Sequence, residues 1–427
     1  MKRQEKGPRV ALATCASYEP GEVERALDRA VGLLGGWETI FQEGDGRLPY
    51  GRDSLLLLKP NLLAKAAPEE ACTTHPAVFQ AAGALLQKAG YGRLVYGDSP
   101  GNPMIKVEKV AEGCGIKEAA DALEIPLGDF ERGRSVEFSE GRATKSFVLC
   151  DGAVEADGII NLCKMKTHQL ERITGAMKNT FGCVYGINKG ASHARFATAE
   201  VFAKMIADLN NLVRPKLHIM DGIVAMEGNG PRSGRPKKMG LLLVSTDPVA
   251  LDALFCHLVD LKPELVPTNV TGRDQGVGSW EDMEVLTGEG VLTPRQAAEK
   301  YGDSSFSVQR SSEFRGNLRP VRFLAPLLQK KPVVREDVCI GCGICREVCP
   351  VPQKAITLTP IGGKTPHGAG RGAADTAGAA CADSRKIARY DYDKCIKCYC
   401  CQELCPKQAI TVKKSLLARI ADRNWRL

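Results

Sequence analysis

The chain has 427 residues, a formal net charge of +8, 44% hydrophobic and 25% charged residues, which is ordinary for a globular protein of two or three domains. The charge is mild and dispersed, with no basic stripe interleaved with aromatics, so no nucleic-acid partner is expected. No apolar run of about 18 residues suggests a membrane span, and the charged start Met1–Pro8 lacks the apolar stretch of a signal peptide.

In chain order, Val10–Thr14 reads as a strand and Pro20 to about Leu34 as a helix. Leu55–Leu58 is a buried strand running into Lys59-Pro60-Asn61. His75–Ala89 is a helix with Thr73 or Thr74 as its cap and Pro76 in its first turn. Strands at Arg93–Tyr96, Gly158–Leu162, Leu217–Met220 and Leu241–Val244 each lead into a polar turn: Gly97-Asp98-Ser99, Cys163 to His168, Asp221-Gly222 and Ser245 to Pro248. This repeated order predicts an α/β domain over residues 1–325, with a mostly parallel sheet flanked by helices and a ligand site at the strands' carboxyl ends. Residues 326–332 read as a linker and 333–412 as a small α+β module. A Gly/Ala-rich insert lies near 362–383, and 413–427 form a basic tail suited to a short docking helix.

Within the small module, Cys339, Cys342, Cys345 and Cys349, then Cys395, Cys398, Cys401 and Cys405, both read C-x-x-C-x-x-C-x-x-x-C-P. This is the bacterial ferredoxin spacing for two [4Fe–4S] clusters, in which three thiolates come from one loop and the fourth from the other run. One cluster is expected on Cys339, Cys342, Cys345 and Cys405, the other on Cys395, Cys398, Cys401 and Cys349. Zinc, held by two C-x-x-C pairs, has no use for the third cysteine of each run. Two such centres, each carrying about −2 with its thiolates, lower the net charge to about +4. Nine further cysteines, among them Cys15, Cys72, Cys114, Cys150, Cys163, Cys183 and Cys256, are scattered singly or, like Cys400, sit beside a ligand. So many thiols in a chain this long predict a reducing cytoplasm rather than a disulfide scaffold.

Polar residues cluster at the predicted strand ends. Lys164, Lys166 and His168 follow a strand at alternate positions, with Lys178 and Asn179 beyond, and ammonium groups beside helix-start amides make an anion site. Lys59, Asn61 and Thr74 extend it. His168 and His193 titrate near neutrality and suit proton transfer. Gly228 and Gly230 form a weak phosphate-loop lookalike. Asp221, Glu227 and Asp247 have metal-binding chemistry without a spacing that demands it. Each residue alone also fits a cap, a turn or a solvated charge.

Taken together, Lys59-Pro60-Asn61, Thr74-His75-Pro76, Asn161 to His168, Gly175 to Gly182, Lys189 with His193, Glu227 to Pro231 and Asp247 to Asp252 resemble the family named domain of unknown function 362. The resemblance spans about residues 8–300, with Cys163 standing where the family pattern has proline. Members are often joined to a ferredoxin module. The family's reaction is not established, so the resemblance implies architecture more than activity. The pattern as a whole predicts low-potential electron transfer from a redox partner protein to an anionic substrate or cofactor in the large domain, as in a ferredoxin-linked oxidoreductase. An electron-relay subunit and a metal or cofactor maturation scaffold are the alternatives.

Overall fold

The structure, a computed structural model, describes residues 7–42, 50–311, 330–361 and 385–413. They divide into two compact units, within Met1–Ser312 and Glu313–Leu427. Most of the predicted linker, the insert and all of the tail beyond Lys413 lie outside the described residues.

The large unit is built from β1 (Arg9–Thr14), β2 (Leu56–Lys59), β3 (Leu94–Tyr96), β4 (Gly133–Glu137), β5 (Ser146–Cys150), β6 (Gly158–His168), β7 (Arg172–Thr174), β8 (Leu217–Glu227), β9 (Arg235–Ser245), β10 (Glu284–Thr287) and β11 (Gly290–Leu292), with helices between them. Nine of these form one mixed sheet, in the order β11-β10-β1-β9-β8-β6-β2-β3 with β7 beside β6. The half that carries the site, β8-β6-β2-β3, is parallel throughout.

Strands covered on both faces read as continuous apolar runs, as Leu56-Leu57-Leu58 does. The period-2 alternation of side chains divides the core between the faces. Ala11 and Ala13 of β1 join one cluster with Val23, Leu27, Phe79 and Ile206. Val10 and Leu12 join the other with Met220, Leu254 and Phe255. The helix Pro20–Leu33 turns Val23, Ala26, Leu27, Ala30 and Val31 inward, the spacing of one helical face.

Two strands run further than the apolar pattern predicts. β6 continues through Lys164, Lys166 and His168, buried at all eleven positions, and β8 continues to Glu227. The segments expected to be polar turns are therefore central strand. Pairing to neighbours on both sides holds them, Lys166 standing opposite Met226 of β8 and Thr174 of β7. The helix Pro76–Lys88 is capped by His75, whose Nδ1 accepts from the Ala77 amide at 3.2 Å, and not by Thr73 or Thr74. The Thr74 hydroxyl is engaged elsewhere: it accepts from the Asn61 amide at 2.8 Å and donates to the Leu162 carbonyl at 2.7 Å.

In the small unit, β12 (Lys331–Val334) pairs antiparallel with β15 (Ile410–Lys413), and β13 (Ile356–Pro360) with β14 (Lys386–Tyr390). Each cysteine loop leads into a one-turn helix, Ile344–Glu347 and Cys400–Glu403. Ala355, Ile356, Ile387, Ala388, Ala409 and Ile410 pack with the cysteines into the core.

Candidate functional site

The two cysteine loops share one backbone. Gly341 and Gly343 have φ of +68° and +84°, and their equivalents Lys397 and Tyr399 have +58° and +63°. Left-handed geometry is uncommon for residues with a Cβ, so its repetition at the same two places marks a conformation the loops need. Cys339, Cys342, Cys345 and Cys405 line one cavity with Gly341 and Gly343. Burial, reinforced by the thiols of Cys342, Cys339 and Cys405, pushes Cys345 up to about 12. In the other group, burial raises the Cys395 thiol and both Cys398 and Cys349 act on it. Cys405 Sγ accepts from the Ala409 amide at 3.2 Å and Cys401 Sγ from the Tyr390 hydroxyl at 3.0 Å, the polar support a metal-bound thiolate uses. Among the described residues no three Cys, His, Asp or Glu side chains converge on a single-ion site. A cubane does not ask for that, because each thiolate binds its own iron. Cys400 is buried and hydrogen-bonded to Cys398.

None of the sixteen described cysteines is in a disulfide. In the large unit burial raises those of Cys15, Cys114, Cys150, Cys163, Cys183 and Cys256, which keeps them protonated and unreactive at neutral pH.

At the carboxyl ends of β2, β6 and β8 the predicted lysines are buried and paired. Lys164 stands in register with Asp221 on the adjacent parallel strand, so the two side chains share a face. Lys164 Nζ donates to Asp221 Oδ2 at 2.8 Å and to the Tyr18 hydroxyl at 2.9 Å. Tyr18 donates to Asp221 Oδ1 at 2.8 Å, and the His75 amide donates to Oδ2 at 3.0 Å. Burial and the Asp221 charge raise the Tyr18 phenol, which stays a proton donor. Lys59 Nζ donates to Asp98 Oδ1 at 2.8 Å, in a space that exists because residue 182 is glycine: a Cβ there would lie 1.6 Å from that oxygen. Lys166 Nζ donates to Asn61 Oδ1 at 2.9 Å and to the Cys72 carbonyl.

An amide chain links these groups. Asn61 Nδ2 donates to Asn179 Oδ1 at 2.7 Å, Asn179 Nδ2 to Asn161 Oδ1 at 2.7 Å, and Asn161 Nδ2 lies 2.9 Å from His218 Nδ1. Burial pulls His218 down to about 3. A histidine held neutral in the fold gives full stability above its unfolded value of about 6.5 and loses it as pH falls toward the folded value. Between pH 6.5 and 5 the chain should therefore lose about 2 kcal/mol at this residue. Urea titrations at several pH values should show a steeper slope in the native chain than in His218→Gln, which keeps only the share of the other lowered histidines, His75 and His257.

The other predicted residues fall into two further places. His168 ends β6 buried, its Nδ1 accepting from the Leu170 and Glu171 amides at 3.1 Å. Lys178 and His193 gather with Lys189 around Phe181 and Phe202. His193 stacks on Phe202 at 4.5 Å, and Lys178 lies 5.9 Å from both ring centres. Lys189 Nζ donates to the carbonyls of Ser99 and Pro100, and burial lowers it to about 8. Gly228 and Gly230 lie against β6, the Thr167 hydroxyl donating to the Gly228 carbonyl at 3.1 Å and accepting from the Gly230 amide at 3.2 Å.

The structure assigns Asp221 to Lys164, Glu227 to Arg235 and the Ser307 amide, and Asp247 to the cap of the helix Pro248–Leu258. Neither Tyr18 nor His75 was among the predicted site residues. Their rings stack at 3.5 Å, and both are half-buried where the lysines are covered. Burial lowers His75 to about 4. Its Nδ1 is an acceptor, so Nε2 carries the proton of the neutral ring. For Tyr18, the available signal was the polar turn Ala16-Ser17-Tyr18 after β1, the same strand-then-turn pattern seen at the other ends.

The model of domain of unknown function 362 matches residues 56–257, the span of β2 to the helix Pro248–Leu258. A 4Fe-4S dicluster domain matches residues 338–409, both cysteine loops. A thylakoid-associated protein of Synechocystis is 37% identical over 260 residues, 61% of this chain and 77% of that relative. No helix among the described residues is long and apolar enough to cross a membrane. The dicluster match makes this an iron–sulfur protein of the electron-transfer type. From the strand-end motifs, the matched span and the relative together, the chain belongs to the family named domain of unknown function 362, here joined to a 4Fe-4S ferredoxin domain.

Proposed function

We propose that this protein holds two [4Fe–4S] clusters, on Cys339, Cys342, Cys345 and Cys405 and on Cys395, Cys398, Cys401 and Cys349. We further propose that it delivers their electrons to an anionic substrate or cofactor at the strand ends of the large unit. The observation that supports the reading most is the cross-run association of the thiols, Cys405 with Cys345 and Cys349 with Cys395. When bound, such clusters accept and release single electrons at low potential. A reduced redox protein in a reducing cytoplasm is the proposed source.

The chain's own residues would do the rest. Lys178, half-buried beside Phe181 and Phe202, and the field of the buried Lys166 supply positive charge. Lys59 and Lys164 are already balanced by Asp98 and Asp221 and position the loop instead. His75 replaces His168 and His193 as the proposed polar contact to the bound group, its Nε2–H a hydrogen-bond donor, because those two are 3% and 5% exposed while His75 is half-buried beside Tyr18. The test is anaerobic: the fully reduced chain is mixed with a panel of small carboxylates and phosphate esters and cluster reoxidation is followed by absorbance. At least one compound should reoxidise the native chain faster than Lys166→Ala. Equal rates across the panel would remove the delivery reading.

A further inference from the structure

Arg232 lies in the loop between β8 and β9 and is only 6% exposed. Its Nη2 donates to the Lys65 carbonyl at 3.2 Å. Its Nε and Nη1 are buried and donate to nothing. A guanidinium does not lose its proton in a protein, so burial cannot be relieved by neutralisation as it can for lysine. Two hydroxyls near it in sequence or through the loops it meets are in the same condition. Thr73 Oγ1 and Ser233 Oγ are both buried without a partner. The two loops meet near Cys72: Arg232 holds the Lys65 carbonyl, Lys166 Nζ donates to the Cys72 carbonyl, and the Arg232, Lys166 and Glu70 charges all act on the Cys72 thiol. The Gly230 amide ties the second loop to β6 through Thr167.

Buried donors that lack acceptors call for a group rich in acceptor oxygens, and a buried cation calls for an anionic one. We propose that Arg232, Thr73 and Ser233, next to Lys166, form an oxyanion site that takes a phosphate or carboxylate group. In identifying that group as the head of the electron-accepting substrate, the inference rests on the function proposed above; the site itself does not. Arg232 is a binding residue in this scheme and takes no part in electron or proton transfer.

The probes are inorganic phosphate and acetate, added separately to the anaerobically purified full chain while its melting temperature is followed. A ligand that binds only the folded chain raises that temperature in a saturable way. One of the two anions should do so, with apparent affinity falling at least tenfold in Arg232→Gln and severalfold in Thr73→Val. A response to phosphate alone identifies a phosphate head, and a response to acetate alone a carboxylate head. Without ligand, Arg232→Gln should melt no lower than the native chain, because it removes an unpaired buried charge; a purely structural arginine would lose stability. If Arg232→Gln does not fold, Thr73→Val carries the comparison. No saturable response to either anion, or the same response in native chain and variants (an adventitious ion only), overturns the site. Anion binding without anion-dependent reoxidation would leave the site standing and remove the delivery reading.

Discussion

Alanine at Cys342 and Cys349 together should strip the chain of nearly all its cluster iron, although both residues belong to the same run. The expectation follows from the interleaving. Cys342 lies in the group of Cys339, Cys345 and Cys405, and Cys349 acts on Cys395 of the other loop, so on the proposed assignment each substitution takes a ligand from a different cubane. The pair Cys342→Ala and Cys405→Ala crosses the two runs but touches one cubane, and should keep about four of roughly eight irons. If each run built its own cluster, the outcomes would be exchanged: the first pair would keep half and the second would lose all. Iron and acid-labile sulfide per chain, with the paramagnetic signal of the reduced protein, separate the two arrangements.

The cysteine pattern was legible because its demand is local. Three cysteines at two-residue gaps describe the loop that forms, the fourth and its proline lead on to the other group, and the left-handed pairs Gly341/Gly343 and Lys397/Tyr399 are the loop's backbone expression. The alternation of strands and helices was legible for a similar reason, since Leu56-Leu57-Leu58 or Leu241 to Val244 can be buried only one way in a two-sided core. The site of the large unit was half legible. Its residues were found as motifs, but their burial was not, because a lysine in sequence carries no mark of the aspartate that will neutralise it. Asp98 and Asp221 reach Lys59 and Lys164 from 39 and 57 residues away, and Tyr18 reaches Asp221 across 203. Such partners are set by strand order, which pairwise spacing does not encode. The same blindness cut β6 short at Leu162, where a polar run was taken for a turn. His218 carried a usable signal, a lone imidazole inside Leu217–Met220. A polar group in a strand otherwise apolar needs a buried partner, and here that partner is Asn161.

The Lys164–Asp221 pair provides the second large effect. Both side chains are fully buried, so Asp221→Ala would leave an ammonium in the core with the Tyr18 hydroxyl as its remaining partner, and would also remove the acceptor of the His75 amide. Breaking one side of a buried ion pair costs about 3–5 kcal/mol, more than the pair itself contributes, because the surviving charge keeps its desolvation penalty. In a Trp425→Phe background, urea unfolding followed by tryptophan fluorescence reads the large unit through Trp37 and Trp280, and Asp221→Ala should lower its stability by that amount. Lys164→Met alone should cost less, since a carboxylate that still accepts from Tyr18 and two backbone amides is better served than an orphaned ammonium. Combining the two changes should recover most of the loss, and the double-mutant cycle isolates the coupling. If Asp221→Ala costs less than about 1 kcal/mol, Lys164 sheds its proton or reaches water when its partner is gone. The strand ends would then be accessible enough for Lys164 to meet an anion directly, and the division of roles between balanced and binding lysines would have to be redrawn around it.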